Sequence, residues 1–255
     1  MIIKQLHAKL LVFTFFILVI TGCSKKDELT GLVTGNTENT KAVGASAKDL
    51  LASTKYTSIK IEIQFMPTYP PNATAIDNLV NFLNGLINKP GGISVVQSTI
   101  GTLGKTEYSL TDISNLEKNN RTVFTSGTQI GINFLYVDGG YTEANVLGFA
   151  YRNTSMCLFG KTLYDNSGGF GQPSRLKLET TILEHEFAHL LGLVNLGSPM
   201  QVNHEDASHG NHCNNANCLM YYAAQTTGIG GVLMNGSVPV LDANCKADLT
   251  ANGGK

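Results

Sequence analysis

Two histidines and a glutamate stand close together in LEHEFAHLLGLVN, residues 183–195, and their spacing is typical of a zinc site. On a helix, His185 and His189 project from one face, one turn apart, because they are four residues apart. Two imidazoles in that arrangement can share a tetrahedral ion. Glu186 lies beside them, where a carboxylate can reach a metal-bound water without binding the metal. The segment therefore predicts a zinc site with a general base.

The third zinc ligand is not evident from this segment. The pattern H-E-x-x-H-x-x-G-x-x-H would end at Asn195, and asparagine is a poor zinc ligand. Five of the six histidines of the chain fall between residues 185 and 212, which favours a metal site over scattered core histidines. Spacing and ligand chemistry leave His212, His204 and His209 as candidates, and Asp206 could orient His204 as a hydrogen-bonding carboxylate.

The same region resembles the metzincin family of zinc metallopeptidases. Residues 185–192 are similar to the start of the family signature, H-E-x-x-H-x-x-G, in which the glycine lets the helix end in a sharp turn. The sequence CLMYY, residues 218–222, is similar to the methionine-containing turn of these enzymes. The resemblance implies that Met220 lies beneath the zinc. It also implies that Tyr222 corresponds to a tyrosine that some metzincins use near the metal or the oxyanion.

A closer resemblance is to the archaemetzincins, in which the third histidine is followed by two cysteines and the methionine as H-C-x-x-x-x-C-x-M. The spacing from His212 through Cys213 and Cys218 to Met220 is the same, but residues 196–211, LGSPMQVNHEDASHGN, intervene between the two parts of the motif. We call residues 196–211 the inserted segment. The resemblance implies that His212 is the third ligand, because a loop tolerates insertion when its ends stay close.

The cysteines predict disulfide bonds. Archaemetzincins bind a second zinc with four cysteines, but only Cys245 follows Cys213 and Cys218 here, so a four-thiolate site is incomplete. If Cys23 carries a lipid, four cysteines remain in an exported protein, where disulfides persist. We therefore expect Cys213 to pair with Cys218, and Cys157 to pair with Cys245.

The N-terminus predicts export to a bacterial cell envelope. Two lysines precede an apolar run over residues 10–20, which is short for a membrane span and fits the core of a signal peptide. The run ends in Ile-Thr-Gly-Cys, which resembles the lipoprotein processing box and implies a lipid anchor on Cys23. No acidic residue directly follows Cys23, which favours the outer membrane or cell surface. The expected organisation is a signal peptide over 1–22, a flexible tether over 23–45 and a catalytic domain over 46–255.

Apolar periodicity predicts an α+β fold with a mixed, twisted sheet. The predicted strands cover 56–67, 93–101, 129–141 and 146–159, and the predicted helices cover 75–87 and 111–120, followed by a long helix that begins after Pro173-Ser174 and carries the histidines. An irregular C-terminal part follows this helix. The metzincin resemblance implies that an edge strand lines the cleft and pairs with an extended peptide, and the strand near 146–152 is the candidate.

These observations together predict a zinc-dependent endopeptidase that cleaves peptides or proteins and is held to a membrane by a lipid. The net charge of −1 and the pI near 6.6 give no basic surface for nucleic acid. Two alternatives stay open: a non-catalytic surface lipoprotein that binds a peptide or glycan in a retained cleft, and an amidase acting on cell-wall peptides.

Overall fold

The computed structural model describes residues 37–255, so the predicted signal peptide, Cys23 and the tether as far as residue 36 lie outside the described residues. The helices and strands are, in chain order, α1 (Ala47–Leu51), β1 (Ser58–Phe65), α2 (Ala73–Leu86), β2 (Ile93–Thr99), β3 (Glu107–Tyr108), α3 (Leu110–Asn120), β4 (Gln129–Val137), β5 (Gly140–Tyr141), β6 (Gly148–Arg152), β7 (Ser155–Phe159), α4 (Gly160–Asp165), α5 (Arg175–Leu190), α6 (Gly230–Asn235) and α7 (Ala243–Ala251). Within residues 37–255, no helix is both long enough and apolar enough to cross a bilayer.

The main sheet has five strands in the order β2-β1-β4-β7-β6. Strand β1 pairs in parallel with β2 and β4, and β4 pairs in parallel with β7. Strand β6 pairs antiparallel with β7 and forms one edge of the sheet. The fold is therefore a mixed α/β arrangement. The sheet is mixed, as predicted, but its strands run mostly parallel, which the predicted α+β class does not include.

Strand β1 is buried on both faces, although its alternating sequence predicts burial on one face only. One face carries the buried isoleucines Ile59, Ile61 and Ile63. On the opposite face, Glu62 is only 3% exposed and accepts hydrogen bonds from the backbone N–H groups of Thr122 and Val123. Gln64 donates to the carbonyl of Asn120 at the end of α3. The polar side chains are buried because α3 and the following loop supply their hydrogen-bonding partners.

Residues 146–159 form a hairpin, not the single strand that the sequence predicts. Strands β6 and β7 are joined at Asn153-Thr154, and the pairing is irregular between Ala150 and Arg152. The Asn153 side chain donates to the carbonyl of Glu38 and to the hydroxyl of Ser46. Glycine and proline mark most turns in a sequence. This turn contains neither, because tertiary hydrogen bonds hold it in the interior, and the sequence therefore does not predict it.

Helix α5 carries the histidine motif and begins where the sequence predicts. The Ser174 side chain accepts a hydrogen bond from the N–H of Lys177 and caps the helix. Every residue from Leu178 to Leu190 is buried. The helix packs against α2 and against the edge strand β6. Its burial on all sides explains why polar side chains on it require partners within the protein.

Residues 37–45 belong to the folded structure, although the sequence assigns them to the tether. Asn39 is 1% exposed, and its amide donates to the hydroxyl groups of Thr125 and Thr154 and to the carbonyl of Gly131. Residues 37–45 are mostly polar and show no apolar periodicity. Their hydrogen bonds to buried polar groups could therefore not be predicted from the sequence pattern.

The C-terminal part after α5 is mostly irregular, as predicted, but it ends in helix α7. Asp242 caps this helix by accepting a hydrogen bond from the N–H of Cys245. The residues that α7 buries are Cys245, Asp248 and Leu249. A helix that buries a thiol and a carboxylate has no apolar stripe, and the sequence therefore gives no periodic signal for it.

Candidate functional site

His185 and His189 face each other from consecutive turns of α5. The Nδ1 atom of His185 donates to the carbonyl of Leu219 at 2.8 Å, and the Nδ1 atom of His189 donates to the carbonyl of Leu193 at 2.7 Å. Because a carbonyl only accepts, each ring carries its proton on Nδ1 and has a bare lone pair on Nε2. The two Nε2 atoms are 3.1 Å apart. Two facing lone pairs repel each other unless a cation lies between them.

His212 brings a third ring to the same point. Its Nδ1 atom donates to the carbonyl of Gly210 at 3.0 Å, and its buried Nε2 atom has no hydrogen-bond partner. The ring centroids of His212 and the first two histidines are 5.3 Å apart for His185 and 5.1 Å apart for His189. One nitrogen from each of the three rings lies within 4.8 Å of the other two. This donor set fits a zinc ion, whose ligand nitrogens at about 2.0–2.1 Å are about 3.3 Å from each other.

The inserted segment leaves the helix and returns to almost the same place. The N–H of Val194 donates to the carbonyl of Asn211 at 3.2 Å, which joins the two ends of the loop. Asn195 directly precedes the segment and Asn211 is its last residue, and both have positive φ, 57° and 66°. Asparagine adopts this backbone conformation more readily than most residues. Because the two ends of the loop are joined, His212 lies beside α5 although it is far from this helix in the sequence.

The other candidates for the third ligand lie elsewhere. His204 is buried against Cys213 and Asp248. His209 is paired with Asp206 at 2.9 Å, so Asp206 does not orient His204. The amide of Asn195 donates to the carboxylate of Glu205. The structure therefore places only His212, of the residues proposed, beside the two histidines of α5.

Glu186 lies beside the histidines, and only one of its two carboxylate oxygens accepts a hydrogen bond. Its Oε2 atom accepts a hydrogen bond from the N–H of Ala150 on the edge strand β6 at 2.7 Å, and its Oε1 atom is buried without a partner. Burial raises the pKa of this carboxyl to about 8. A cation held by the neighbouring histidines would lower this pKa, because an opposite charge favours the ionised carboxylate. Burial also lowers the pKa of His189 to about 3 and that of His185 well below its ordinary value, so both imidazoles are neutral. Neutral imidazole is the form that binds metal.

The histidines open onto a cleft of about 380 Å³. Its walls come from three parts of the chain: Val43 in the N-terminal segment, Phe149 and Ala150 on β6, and Leu196 at the start of the inserted segment. Glu186 and His212 line its inner surface. The cleft thus combines an apolar lining, a carboxylate and the edge of the sheet.

Tyr222 lies against the inserted segment. Its ring stacks on the imidazole of His209, with ring centroids 3.6 Å apart and planes 4° from parallel. Met220 is fully buried, and its carbonyl accepts a hydrogen bond from the N–H of Cys213 at 2.8 Å. These contacts connect the CLMYY stretch to the segment that carries His212.

The predicted disulfide bonds are not formed. Cys157, Cys213, Cys218 and Cys245 are all free and buried. Cys157 packs in a separate hydrophobic cluster with Met66 and Phe159, whereas Cys245 belongs to the main core. The sulfur of Cys218 instead lies 3.6 Å from that of Cys245, which is 27 residues away in the sequence, so spacing along the chain gives no signal for this approach.

Two of the cysteines and Asp242 lie with His204 in a second group of metal-ligating side chains. One ligand atom each from His204, Cys213, Asp242 and Cys245 lies within 4.8 Å of the others. A hydrogen bond from Cys245 lowers the pKa of the Cys218 thiol to about 7. Sequence reasoning identified His204 and the cysteines but assigned them to other roles. It missed Asp242 and Asp248, since neither belongs to a recognisable motif.

Comparisons with known proteins agree with the fold. No protein-family model matches the sequence, and no curated protein matches it. Among solved structures, the chain is similar to archaemetzincin from Methanopyrus kandleri, with a TM-score of 0.50 and 13% identity over 78% of this chain and 96% of that chain. At this identity the likeness shows the fold alone. The archaemetzincin-like fold predicted from the motif is therefore confirmed at the level of overall architecture.

Proposed function

We propose that this protein is a zinc-dependent endopeptidase in which His185, His189 and His212 hold the metal and Glu186 is the general base. One observation carries the proposal. Three imidazoles each donate their Nδ1–H to a backbone carbonyl and turn a bare Nε2 toward a common point. Hydrogen bonds of this kind orient metal-binding histidines and increase their basicity. Three nitrogen ligands leave the fourth position of a tetrahedral ion for water.

Zinc, when bound, supplies a Lewis acid and lowers the pKa of a water molecule to about 7. Glu186 does the proton chemistry of the reaction. Its unbonded Oε1 takes a proton from the attacking water and later passes it to the leaving amine. The hydrogen bond from Ala150 to Oε2 holds the carboxylate in place while the other oxygen works. Tyr222 is the proposed hydrogen-bond donor to the oxyanion, and Met220 is proposed to support the histidines from below.

The edge strand β6 is the proposed binding surface for substrate. It has β7 on one side only, so its other side is available to an extended peptide. Phe149 and Ala150 of this strand line the cleft beside Glu186. A peptide that pairs with β6 would therefore bring a backbone carbonyl close to the histidines. Peptides and proteins are the substrates that this mode of binding favours.

The location of the enzyme is a further part of the proposal. The lipoprotein-like sequence that ends at Cys23 supports a lipid anchor in a bacterial envelope, with the outer membrane or cell surface favoured. A substrate would then be a peptide or protein at the cell boundary. Radiolabelled fatty acid incorporated into the full chain, and its loss in Cys23→Ala, would test the anchor separately from catalysis.

The decisive experiment compares Glu186→Ala with a matched carboxylate variant on the same helix. Glu184 is also buried on α5, two residues before Glu186. We expect Glu186→Ala to abolish cleavage of a peptide library while its zinc content stays at the wild-type level, and Glu184→Gln to retain cleavage. A chelator should remove the activity of the wild type, and added zinc should restore it.

Other outcomes would support the alternatives. Zinc-loaded wild-type protein that binds peptides or glycans without cleaving them would indicate a binding lipoprotein. Hydrolysis confined to cell-wall peptides linked to sugar would indicate an amidase. Full activity of Glu186→Ala would overturn the mechanism.

A further inference from the structure

We propose that the cleft at the histidines is closed at both ends and takes only a short, uncharged length of extended peptide, about five residues long. The proposal deepens the proposed function and rests on it, because it treats β6 as the strand that pairs with substrate. The cleft has a volume of about 380 Å³. The contacts at the two ends of β6 and the residues that line the cleft between them set the limits on the substrate.

Residues 225–227 cover the edge of the sheet just before β6. The N–H of Leu147 donates to the carbonyl of Gln225 at 3.0 Å. The N–H of Thr227 donates to the carbonyl of Asn145, also at 3.0 Å, and the two bonds flank an antiparallel bridge. A peptide that pairs with β6 cannot continue along this edge, because residues 225–227 already occupy the place of the next strand.

The N-terminal segment covers the edge directly after β6. The N–H of Asn153 donates to the carbonyl of Lys41 at 3.0 Å, and the N–H of Lys41 donates to Oδ1 of Asn153 at 3.0 Å. Val43 of the same segment forms a wall of the cleft. Gly44 packs tightly on the inserted segment, since a Cβ at Gly44 would lie only 2.1 Å from the carbonyl oxygen of Leu196. Backbone contacts therefore close this end as well.

The part of the edge between these contacts is β6 itself. The strand has five residues, and its three middle residues, from Phe149 to Tyr151, are partly exposed. At about 3.4 Å per residue, five paired residues span about 17 Å. Glu186 accepts a hydrogen bond from the N–H of Ala150, so the reacting carboxylate lies near the centre of this stretch. The contacts therefore favour a segment with about two residues on each side of the cleaved bond.

The described residues that line the cleft offer no free partner for a charged group. Glu186 is the one acidic residue among them, it is the proposed base, and the lining contains no lysine or arginine. Apolar contacts come from Val43, Phe149 and Leu196. Moving a charge from water into such a lining without a partner is costly. Bonds inside apolar stretches are therefore favoured over bonds next to a charged terminus.

The first test measures cleavage against peptide length. A series of peptides shares one apolar centre, has acetylated and amidated ends, and increases from about four to about twelve residues. We expect kcat/KM to rise until the peptide has about six residues and then to stay within about twofold, because further residues find no edge to pair with. A further rise of about tenfold or more over the longer peptides would overturn the proposal.

Charge placement within the longest peptide gives a second readout. A single lysine or glutamate within about five residues of the centre of cleavage should lower kcat/KM at least about tenfold relative to leucine, since the cleft has no partner for the charge. The same residue at either end of the peptide should change kcat/KM by less than about twofold, because it stays in water. Equal effects at central and terminal positions would overturn the limit on length.

Val43→Asp tests the wall that the N-terminal segment forms. It places a carboxylate in the cleft and should raise kcat/KM for the peptide with a central lysine about tenfold relative to the leucine peptide. Val202→Asp is the matched control, because Val202 is 61% exposed on the inserted segment and is not among the described residues that line the cleft. An unchanged ratio in Val43→Asp would overturn the proposal. If Val43→Asp does not fold, Leu196→Asp gives the same comparison.

Binding measurements separate this inference from the proposed hydrolysis. The same peptides are titrated into zinc-loaded Glu186→Gln and followed by calorimetry, which requires no cleavage. Affinity should stop rising at the same length of about six residues. If affinity shows this limit and the wild type cleaves none of the peptides, the hydrolysis fails and the closed cleft stands, with the charge ratios then measured as affinities. Affinity that keeps rising with length, or no binding at any length, would overturn the closed cleft whatever the activity is.

Discussion

The imidazole of His209 lies flat on the phenol ring of Tyr222, with the ring centroids 3.6 Å apart. His209 is itself held by Asp206, whose carboxylate lies 2.9 Å from its Nδ1 atom. Asp206 also donates its backbone N–H to the carbonyl of His212. The inserted segment thus contacts both the proposed third metal ligand and the proposed oxyanion donor. His209 is therefore expected to position Tyr222 rather than to react.

We predict that His209→Ala lowers kcat by about five- to tenfold and leaves KM nearly unchanged, because an aromatic pair contributes roughly 1 kcal/mol. His209→Phe should retain most of the activity, since it keeps the stacked ring. Tyr222→Phe should lower kcat more strongly than His209→Ala, because it removes the hydroxyl itself. In the Tyr222→Phe background, His209→Ala should have little further effect on kcat, and an additive loss would argue against a positioning role.

Gly192 is required where α5 gives way to the inserted segment. Its φ of 87° lies in the left-handed region, and a Cβ placed there would be 2.4 Å from the backbone nitrogen of Ser198. We predict that Gly192→Ala lowers the free energy of unfolding by more than about 2 kcal/mol and weakens zinc binding, because the clash displaces the turn next to His189. Urea unfolding and chelator competition measure the two effects.

Gly85 provides the matched control for this substitution. It lies in helix α2, and an added Cβ would meet nothing within 4 Å. Gly85→Ala should therefore raise the free energy of unfolding by roughly 0.5–1 kcal/mol, because alanine loses less conformational entropy in a helix. Equal effects of the two substitutions would show that the turn at Gly192 is not strained by a side chain.

A buried ionic network holds the far end of the edge strand. Glu117 on α3 accepts from Arg121 at 2.6 Å, from Ser155 at 2.6 Å and from Arg152 of β6 at 2.8 Å. We predict that Glu117→Ala lowers the free energy of unfolding by about 3–5 kcal/mol, because it leaves two buried guanidinium groups without their counter-ion. Asp165→Asn, in the exposed pair with Lys161, should change it by less than about 1 kcal/mol in the same urea titration.

The local elements that position the site could be predicted from the sequence. The capped helix that bears His185 and His189 is confirmed, because a Pro-Ser start and the apolar residues of α5 give a strong local signal. The helix predicted over 111–120 is also confirmed, and it begins at Leu110 after a cap at Ser109. Asp112, at the third helical position, completes a capping box with Ser109.

The long-range contacts could not be predicted in the same way. Spacing left His204 and His212 as rival ligands because a loop of the length of the inserted segment can place either beside α5. The pairing of His204 with Asp248 and the approach of Cys218 to Cys245 depend on how α7 docks. The sequence of α7 shows no apolar periodicity, so the sequence pattern predicts neither contact.

Two aspartate–histidine pairs in this region differ in burial, and one substitution in each separates their contributions to stability. The side chains of His204 and Asp248 are at most 1% exposed, and Asp248 also accepts a hydrogen bond from the N–H of Gln201. We predict that Asp248→Asn lowers the free energy of unfolding by about 1–3 kcal/mol, because it weakens the buried hydrogen bond to Nε2 of His204. Asp206→Asn alters the pair with exposed His209 and should change the free energy of unfolding by less than about 1 kcal/mol in the same urea titration. Equal effects of the two substitutions would show that burial does not determine the strength of these pairs.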